Sequence, residues 1–330
     1  MISYIGVDIA KRTFTAAVKT KKGTHTKGFR NEPEGYKQML RWVEKLAGKS
    51  KHCFIMEATS TYYLPCALFL NSWGKKVAVV NPRYVHDFAN AMGYKNKTDL
   101  SDAQVLAHFG EVKQSAYWQP PTKKIVQLRG LVKRREELVG MLVQERNRIQ
   151  TPMLTEAQQK SLKKIITVLK QERDEIEREL KKMVNADQKL RKTVDLLTSI
   201  KGVGFIVAVT LISIVGDIKL FKNKRAFHSY LGVSPRQYSS GTSVHWSQMS
   251  KQGLPAARRC LFMASRVGAR YEPIFQEYVE SLIKRGKSYK RAIAALMRKL
   301  AGIIYAVWSN ETPFSAETYR KIQARFQSSS

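Results

Sequence analysis

Residues 2–30, ISYIGVDIAKRTFTAAVKTKKGTHTKGFR, decide the fold. Apolar and β-branched residues alternate with polar ones over 2–9, 13–19 and 24–30, and Lys21-Lys22-Gly23 supplies a tight turn between the last two runs. Three short strands in succession are therefore predicted at the amino-terminal end. The period then changes. A helix over 34–46 precedes the apolar strand 53–57, and a helix over 62–73 precedes the strand 76–80, after which Pro82 opens another helix. Three strands followed by alternating helices and strands predict an α/β domain with a mixed sheet.

Trp118-Gln119-Pro120-Pro121-Thr122 breaks this pattern and reads as a linker. Beyond it Ile125, Leu128, Val132, Val139, Leu142 and Ile149 recur at heptad spacing, and Pro152 marks a reversal. Thr155 and Gln158 have the spacing of a capping box that opens a second long helix. These two helices form a coiled-coil-like spacer, either a hairpin within the chain or a dimerising seam. From Leu190 onward the signals are helical, with a dense turn region over 231–253. The expected organisation is a nuclease-like domain over 1–118, the spacer over 119–187 and a mainly α domain over 188–330.

The chain has 58 Lys and Arg against 26 Asp and Glu, a formal charge of +32 that calls for a polyanionic partner. Residues 188–330 hold 24 basic and 7 acidic side chains, the largest imbalance of the three segments. Nucleic acid is the expected partner rather than a membrane, because the longest apolar candidate, 205–215, is short for a span. Cys53, Cys66 and Cys260 lack metal-ligand spacing and are odd in number, which argues against disulfides and a zinc site and fits a reducing cytoplasm.

Asp8 ends the first predicted strand and Glu57 a later one, so adjacent strands would present both acids at one sheet edge. Asp99 and Asp102 lie three apart at a predicted helix start and share a face. Four such carboxylates suit a pair of hard cations, Mg²⁺ or Mn²⁺, poised for phosphodiester chemistry. Taken singly, Asp99 and Asp102 also suit the positive end of a helix dipole, and Glu57 a lysine partner. Ile200-Lys201-Gly202-Val203-Gly204 between two apolar helices has the form of a helix-hairpin-helix turn, in which Lys201 and the amides at Gly202 and Gly204 would face a phosphate.

The segments GVDIAK, MEATSTYY, VVNP and KTDLSDA together resemble the DEDD transposases of bacterial insertion sequences of the 110/1111 group, relatives of the pilin-gene invertases. The resemblance implies an RNase H/RuvC-like fold for the first domain and metal ligation by Asp8, Glu57, Asp99 and Asp102. It further implies a reactive serine in the second domain, in a Pro-x-x-x-x-Ser-Gly context that matches Pro235 to Gly241, making Ser240 the nucleophile with Ser239 as its neighbour. The implied chemistry is DNA cutting and rejoining through a phosphoserine linkage by a homodimer that assembles to a tetramer; with the helical spacer between them, the acids and the serine of one site come either from one subunit or from two. A noncoding bridge RNA is implied as guide, with donor and target duplex DNA as substrates. Lys97, Arg236 and Lys251 are expected to contact nucleic acid, and the protein is expected in the bacterial cytoplasm at the nucleoid. The competing expectation is a RuvC-type junction resolvase, in which metal-activated water attacks and Ser240 has no role.

Overall fold

The computed structural model describes residues 2–21, 23–48, 51–58, 61–94, 98–240, 244–249 and 253–321; for 99–100, 236–240 and 244–248 it describes only the backbone. The chain divides into two compact units, 1–120 and 121–330.

In the first unit β1 (Ile2–Ile9), β2 (Thr13–Thr20) and β3 (Gly23–Arg30) form the predicted meander. α1 (Pro33–Ala47) leads to β4 (Lys51–Glu57), and α2 (Tyr63–Ser72) leads to β5 (Lys76–Val80). The five strands are ordered β3-β2-β1-β4-β5, with β2 antiparallel to β1 and β4 parallel to it. Helices cover both faces of the sheet. On one side Ile5, Val7, Phe54 and Met56 pack with Tyr36, Met39 and Val43 of α1 and Leu70 of α2. On the other, Cys53, Ile55, Ala78 and Val80 pack with Val85 of α3 (Pro82–Ala91) and with Val105, Leu106 and Phe109 of α4 (Asp99–Lys113). Each large apolar side chain buried this way contributes about 1.5–3 kcal/mol.

The second unit begins with α5 (Lys123–Arg148) and α6 (Glu156–Asn185), which pack against each other as a hairpin. Leu128, Val132, Leu180 and Val184, near the open end of that hairpin, belong to the same core as the helices that follow. These are α7 (Gln188–Thr198), α8 (Phe205–Val215), α9 (Lys224–Leu231), α10 (Pro255–Tyr271), α11 (Pro273–Lys284) and α12 (Tyr289–Asn310). α12 corrects the expectation about apolar length: it is long and apolar enough by composition to cross a membrane, and 56% of its apolar window is buried in the core.

A second correction concerns the turn region 231–253. It contains two strands, β6 (Pro235–Ser240) and β7 (Val244–Met249), paired antiparallel. Serine and glycine density hid the strand-formers Tyr238, Val244 and Trp246, and Tyr238 and Trp246 are cross-strand partners. Two isolated strands are marginal by themselves. Here their base is closed by close backbone approach: a Cβ on Gly253 would lie 2.2 Å from the Gly232 nitrogen, and one on Gly232 would lie 2.5 Å from the Gly253 nitrogen. Gly232 also takes φ +71°, the left-handed conformation that ends α9, and Arg258 donates to the Gly253 carbonyl.

Candidate functional site

The parallel register of β1 and β4 runs Gly6 with Ile55 and Val7 with Met56, so the next residues, Asp8 and Glu57, stand side by side at the carboxyl ends of the two strands. Side chains alternate along a strand. Tyr4, Gly6 and Ile55 face α4, since a Cβ on Gly6 would sit 1.9 Å from the Ala103 carbonyl oxygen and one on Gly110 would meet Ile55 and Tyr4. Asp8 and Glu57, two residues beyond Gly6 and Ile55, share that face. Gly110 lies by Tyr4 while Ala103 lies by Gly6, so α4 runs antiparallel to β1. Its first turn, with Asp99 and Asp102, is at the same end of the sheet as Asp8 and Glu57. All three acids with described side chains are partly buried.

Three motif residues that carry no charge make this approach work. Gly6 lets the helix backbone lie on the strand, and Thr98 with Ser101 fixes where the helix begins. Thr98 Oγ1 accepts from the Ser101 amide at 3.2 Å, and Ser101 Oγ accepts from the Thr98 amide at 2.8 Å. The KTDLSDA segment thus combines a capping box with two acids. Asn81 is likewise a cap, accepting from the Arg83 amide at 2.9 Å with Pro82 in the first helical position.

Sequence reading missed Asn31. Its Nδ2 donates to the carbonyl of Ala10 at 3.0 Å and to that of Tyr62 at 3.2 Å, tying together the loops that follow the two acid-bearing strands. Tyr36 donates to Asn31 Oδ1 at 2.6 Å, and burial pushes the Tyr36 hydroxyl up to about 12, so it remains a donor. No local pattern announces such a bridge, because its partners are distant in sequence.

The donor set is all carboxylate oxygen, the chemistry that hard divalent cations prefer. Among the described residues no group of three or more Asp, Glu, His or Cys side chains is close enough to hold a metal ion, and the Asp99 side chain is outside that set. Asp8, Glu57 and Asp102 therefore share a sheet end without forming a closed ligand shell. The three cysteines are free; burial raises the thiol of Cys53 to about 11 and that of Cys260 to about 12, which leaves little thiolate at neutral pH.

In the second unit Ser240 is the last residue of β6, at the hairpin tip. The register pairs Ser240 with Val244 and Ser239 with His245. Arg236 is the second residue of β6. Lys97 and Lys251 lie outside the described residues. Gly202 has a packing reason for being glycine: it takes φ +95°, and a Cβ there would lie 2.4 Å from the Ala264 carbonyl oxygen of α10. Gly204 is the cap of α8, with open space around it, and Lys201 is exposed.

Comparison with known proteins gives the class first, and it is that of the transposases: one transposase model, of DEDD type for IS110, matches residues 5–158, and another, described as transposase IS116/IS110/IS902 family, matches 194–280. The pilin gene-inverting protein of Moraxella lacunata is 32% identical over 94% of this chain and 97% of its own length. The transposase for insertion sequence element IS1111A of Coxiella burnetii is 26% identical over 97% of this chain and 92% of its own. The chain belongs to the IS110/IS116/IS902 family of transposases. Among solved structures, T. thermophilus RuvC in complex with Holliday junction substrate aligns with 36% of this chain and all of its own at 10% identity and a TM-score of 0.27, too low to bear on the fold.

Proposed function

We propose that this transposase cuts and rejoins duplex DNA through a serine intermediate, with Asp8, Glu57, Asp99 and Asp102 as ligands for divalent metal and Ser240 as nucleophile. The observation that carries the reading is the register of β1 and β4, which brings Asp8 beside Glu57 at the sheet end where α4 begins. In the bound state Mg²⁺ or Mn²⁺ would supply charge neutralisation at the phosphate and polarise the oxygens exchanged there.

The serine hydroxyl oxygen forms a bond to phosphorus as one bond from phosphorus to a sugar oxygen breaks. The proton lost by serine is balanced by the proton that the departing sugar oxygen gains. One ester replaces another, so rejoining is the same exchange run toward a new strand and needs no external energy source. The acids and Ser240 belong to different units of the chain, which is compatible with a site completed by a second copy in a dimer or tetramer.

The finer reading includes a bridge RNA that pairs with donor and target DNA. The excess of basic side chains over 188–330 supports a polyanion-binding role there. Testing uses purified protein, a supercoiled donor and target, and the RNA transcribed from the sequence flanking the reading frame. Wild-type protein is expected to give a covalent protein–DNA adduct and recombinant product. Asp102→Asn and Ser240→Ala should each abolish product, and a mixture of the two should restore some if the site is shared. Cleavage by Ser240→Ala at the wild-type rate with no adduct in either protein would instead establish attack by water. Ser239→Ala checks the neighbouring hydroxyl, whose Cα partner is His245.

A further inference from the structure

At the end of the sheet that carries Asp8, the turn from β1 to β2, Ala10-Lys11-Arg12-Thr13, is exposed at every position. Exposed turns are the usual seat of local mobility. This one is fixed. The Ala10 amide donates to the Thr13 carbonyl at 2.9 Å, the Asn31 amide donates to the Arg12 carbonyl at 2.9 Å, and Asn31 Nδ2 donates to the Ala10 carbonyl at 3.0 Å. Asn31 is braced in turn by Tyr36, which is 2% exposed. A buried tyrosine and a bridging amide therefore hold a turn that contributes no side chain to the cores of this unit.

Arg30 is the neighbouring cation. It pairs with Thr13 across β3 and β2, is exposed, and its carbonyl accepts from the Glu32 amide at 2.9 Å. α1 begins directly against it: a Cβ on Gly35 would lie 2.0 Å from that carbonyl oxygen, so glycine is what lets the helix meet the strand end. Solvated cations need no counter-charge, and the exposed Glu32 at the start of α1 offsets one of the three. Their placement is what assigns a role.

β3 runs parallel to β1, because each is antiparallel to β2, so Arg30 ends its strand where Asp8 and Glu57 end theirs. Glu57 on β4 and Arg30 on β3 are three inter-strand spacings apart, roughly 15 Å, the rise of about four nucleotides along one strand of B-DNA. The helices α1, α2 and α3 also begin at this end, and their amino-terminal dipoles add positive potential there.

We propose that the β1–β2 turn and the end of β3 form a fixed phosphate track for the DNA strand being cut, with Lys11, Arg12 and Arg30 gripping phosphates that flank the one held at Asp8 and Glu57. These are positioning residues, since the phosphates they touch do not react. The placement rests on the reading of the acids as the cleavage site.

Photo-crosslinking with the full chain tests it. Arg12→p-benzoylphenylalanine, with Lys11→p-benzoylphenylalanine as a second probe, is irradiated with end-labelled donor DNA and the RNA of the recombination assay. Lys45→p-benzoylphenylalanine, exposed in the last turn of α1 at the far end of the sheet, is the control. Both turn probes are expected to crosslink DNA within about four nucleotides of the position that wild-type protein cuts, and the control to give about tenfold less. Arg12→Gln and Arg30→Gln should each raise the KM for DNA about fivefold at about 100 mM salt, the order of one lost phosphate contact, with kcat and melting temperature unchanged. Arg12→Lys should recover most of the loss, and Asp8→Asn should keep the crosslink. Crosslinking by a protein whose cleavage ignores Asp8 would remove the cleavage reading and leave the track standing. Cleavage that needs Asp8, with no DNA crosslink from position 11 or 12, would remove the track alone. Equal crosslinking from position 45, crosslinks to RNA only, or an unchanged KM in both glutamine variants would also overturn it.

Discussion

Asn31 shows how a single amide holds two loops in place. Both of its donors are used on carbonyl oxygens, of Ala10 and Tyr62, and its own oxygen accepts from Tyr36. Asn31→Ala should cost about 1–3 kcal/mol in thermal melting, the penalty for leaving such groups unpaired, and lower DNA cleavage about tenfold or more through displacement of the loops after Asp8 and Glu57. Asn31→Asp is the sharper variant: a carboxylate keeps the Tyr36 bond but has no donor for the two carbonyls, so it should behave like alanine. A second residue-scale prediction concerns His228. Burial first, then Arg298 and Lys224, lowers its folded pKa to about 4 from the ordinary 6.5, so the unfolded chain takes up the proton first as the solution is acidified. The stability contribution is complete above about pH 6.5 and is lost progressively as the pH falls toward 4, with no further loss below. His228→Gln should therefore flatten the dependence of melting temperature on pH across that window; an unchanged slope would mean that the imidazole is not buried in its neutral form.

α4 is the element on which the site depends. It has to begin where the strands end and lie close enough for its first turn to reach them; Thr98 and Ser101 set the first condition and Gly6 the second. Gly6→Ala puts a methyl group 1.9 Å from a helix carbonyl that cannot swing away, so α4 must shift. About 1–3 kcal/mol of stability should be lost, with DNA cleavage falling by at least about a hundredfold if the acids are ligands, measured by melting and by an adduct assay. Thr98→Ala, by contrast, should cost about 1 kcal/mol and leave most of the cleavage rate. Legibility from sequence differed sharply between elements. The capping box at Thr155 and Gln158 was readable and is present, because a cap involves only neighbours in the chain. The strands β1 to β5 were readable for the same reason. In α5 the heptad pattern pointed to Val139, whereas the buried residue is Leu138. A straight helix turns every 3.6 residues, so its inward face drifts away from a 3.5-residue repeat. The β6–β7 hairpin was hidden by its serines, and only the pairing of Tyr238 with Trp246 reveals it.

For the molecule as a whole the governing quantity is charge. With +32 to distribute, binding to duplex DNA or RNA should be dominated by counterion release. If about six phosphates are neutralised, affinity should drop roughly a thousandfold between 50 and 200 mM salt, as read by filter binding or fluorescence anisotropy. A flat salt response would show that the basic side chains are spread without forming a nucleic-acid surface. The sequence determined by itself the excess of positive charge, the positions of most helices and strands, and where the four acids and the serines lie along the chain, since all of these rest on composition or on patterns shorter than one element. Only tertiary structure decided that β4 inserts beside β1 with Asp8 next to Glu57, that α4 runs back along β1, that Gly202 packs on α10, and that Lys11, Arg12 and Arg30 are held at the end of the sheet that carries Asp8. The physical reason is range: periodicity and capping involve residues a few positions apart, whereas sheet order, register and cavities are set by packing between segments far apart in the chain, which no local pattern records.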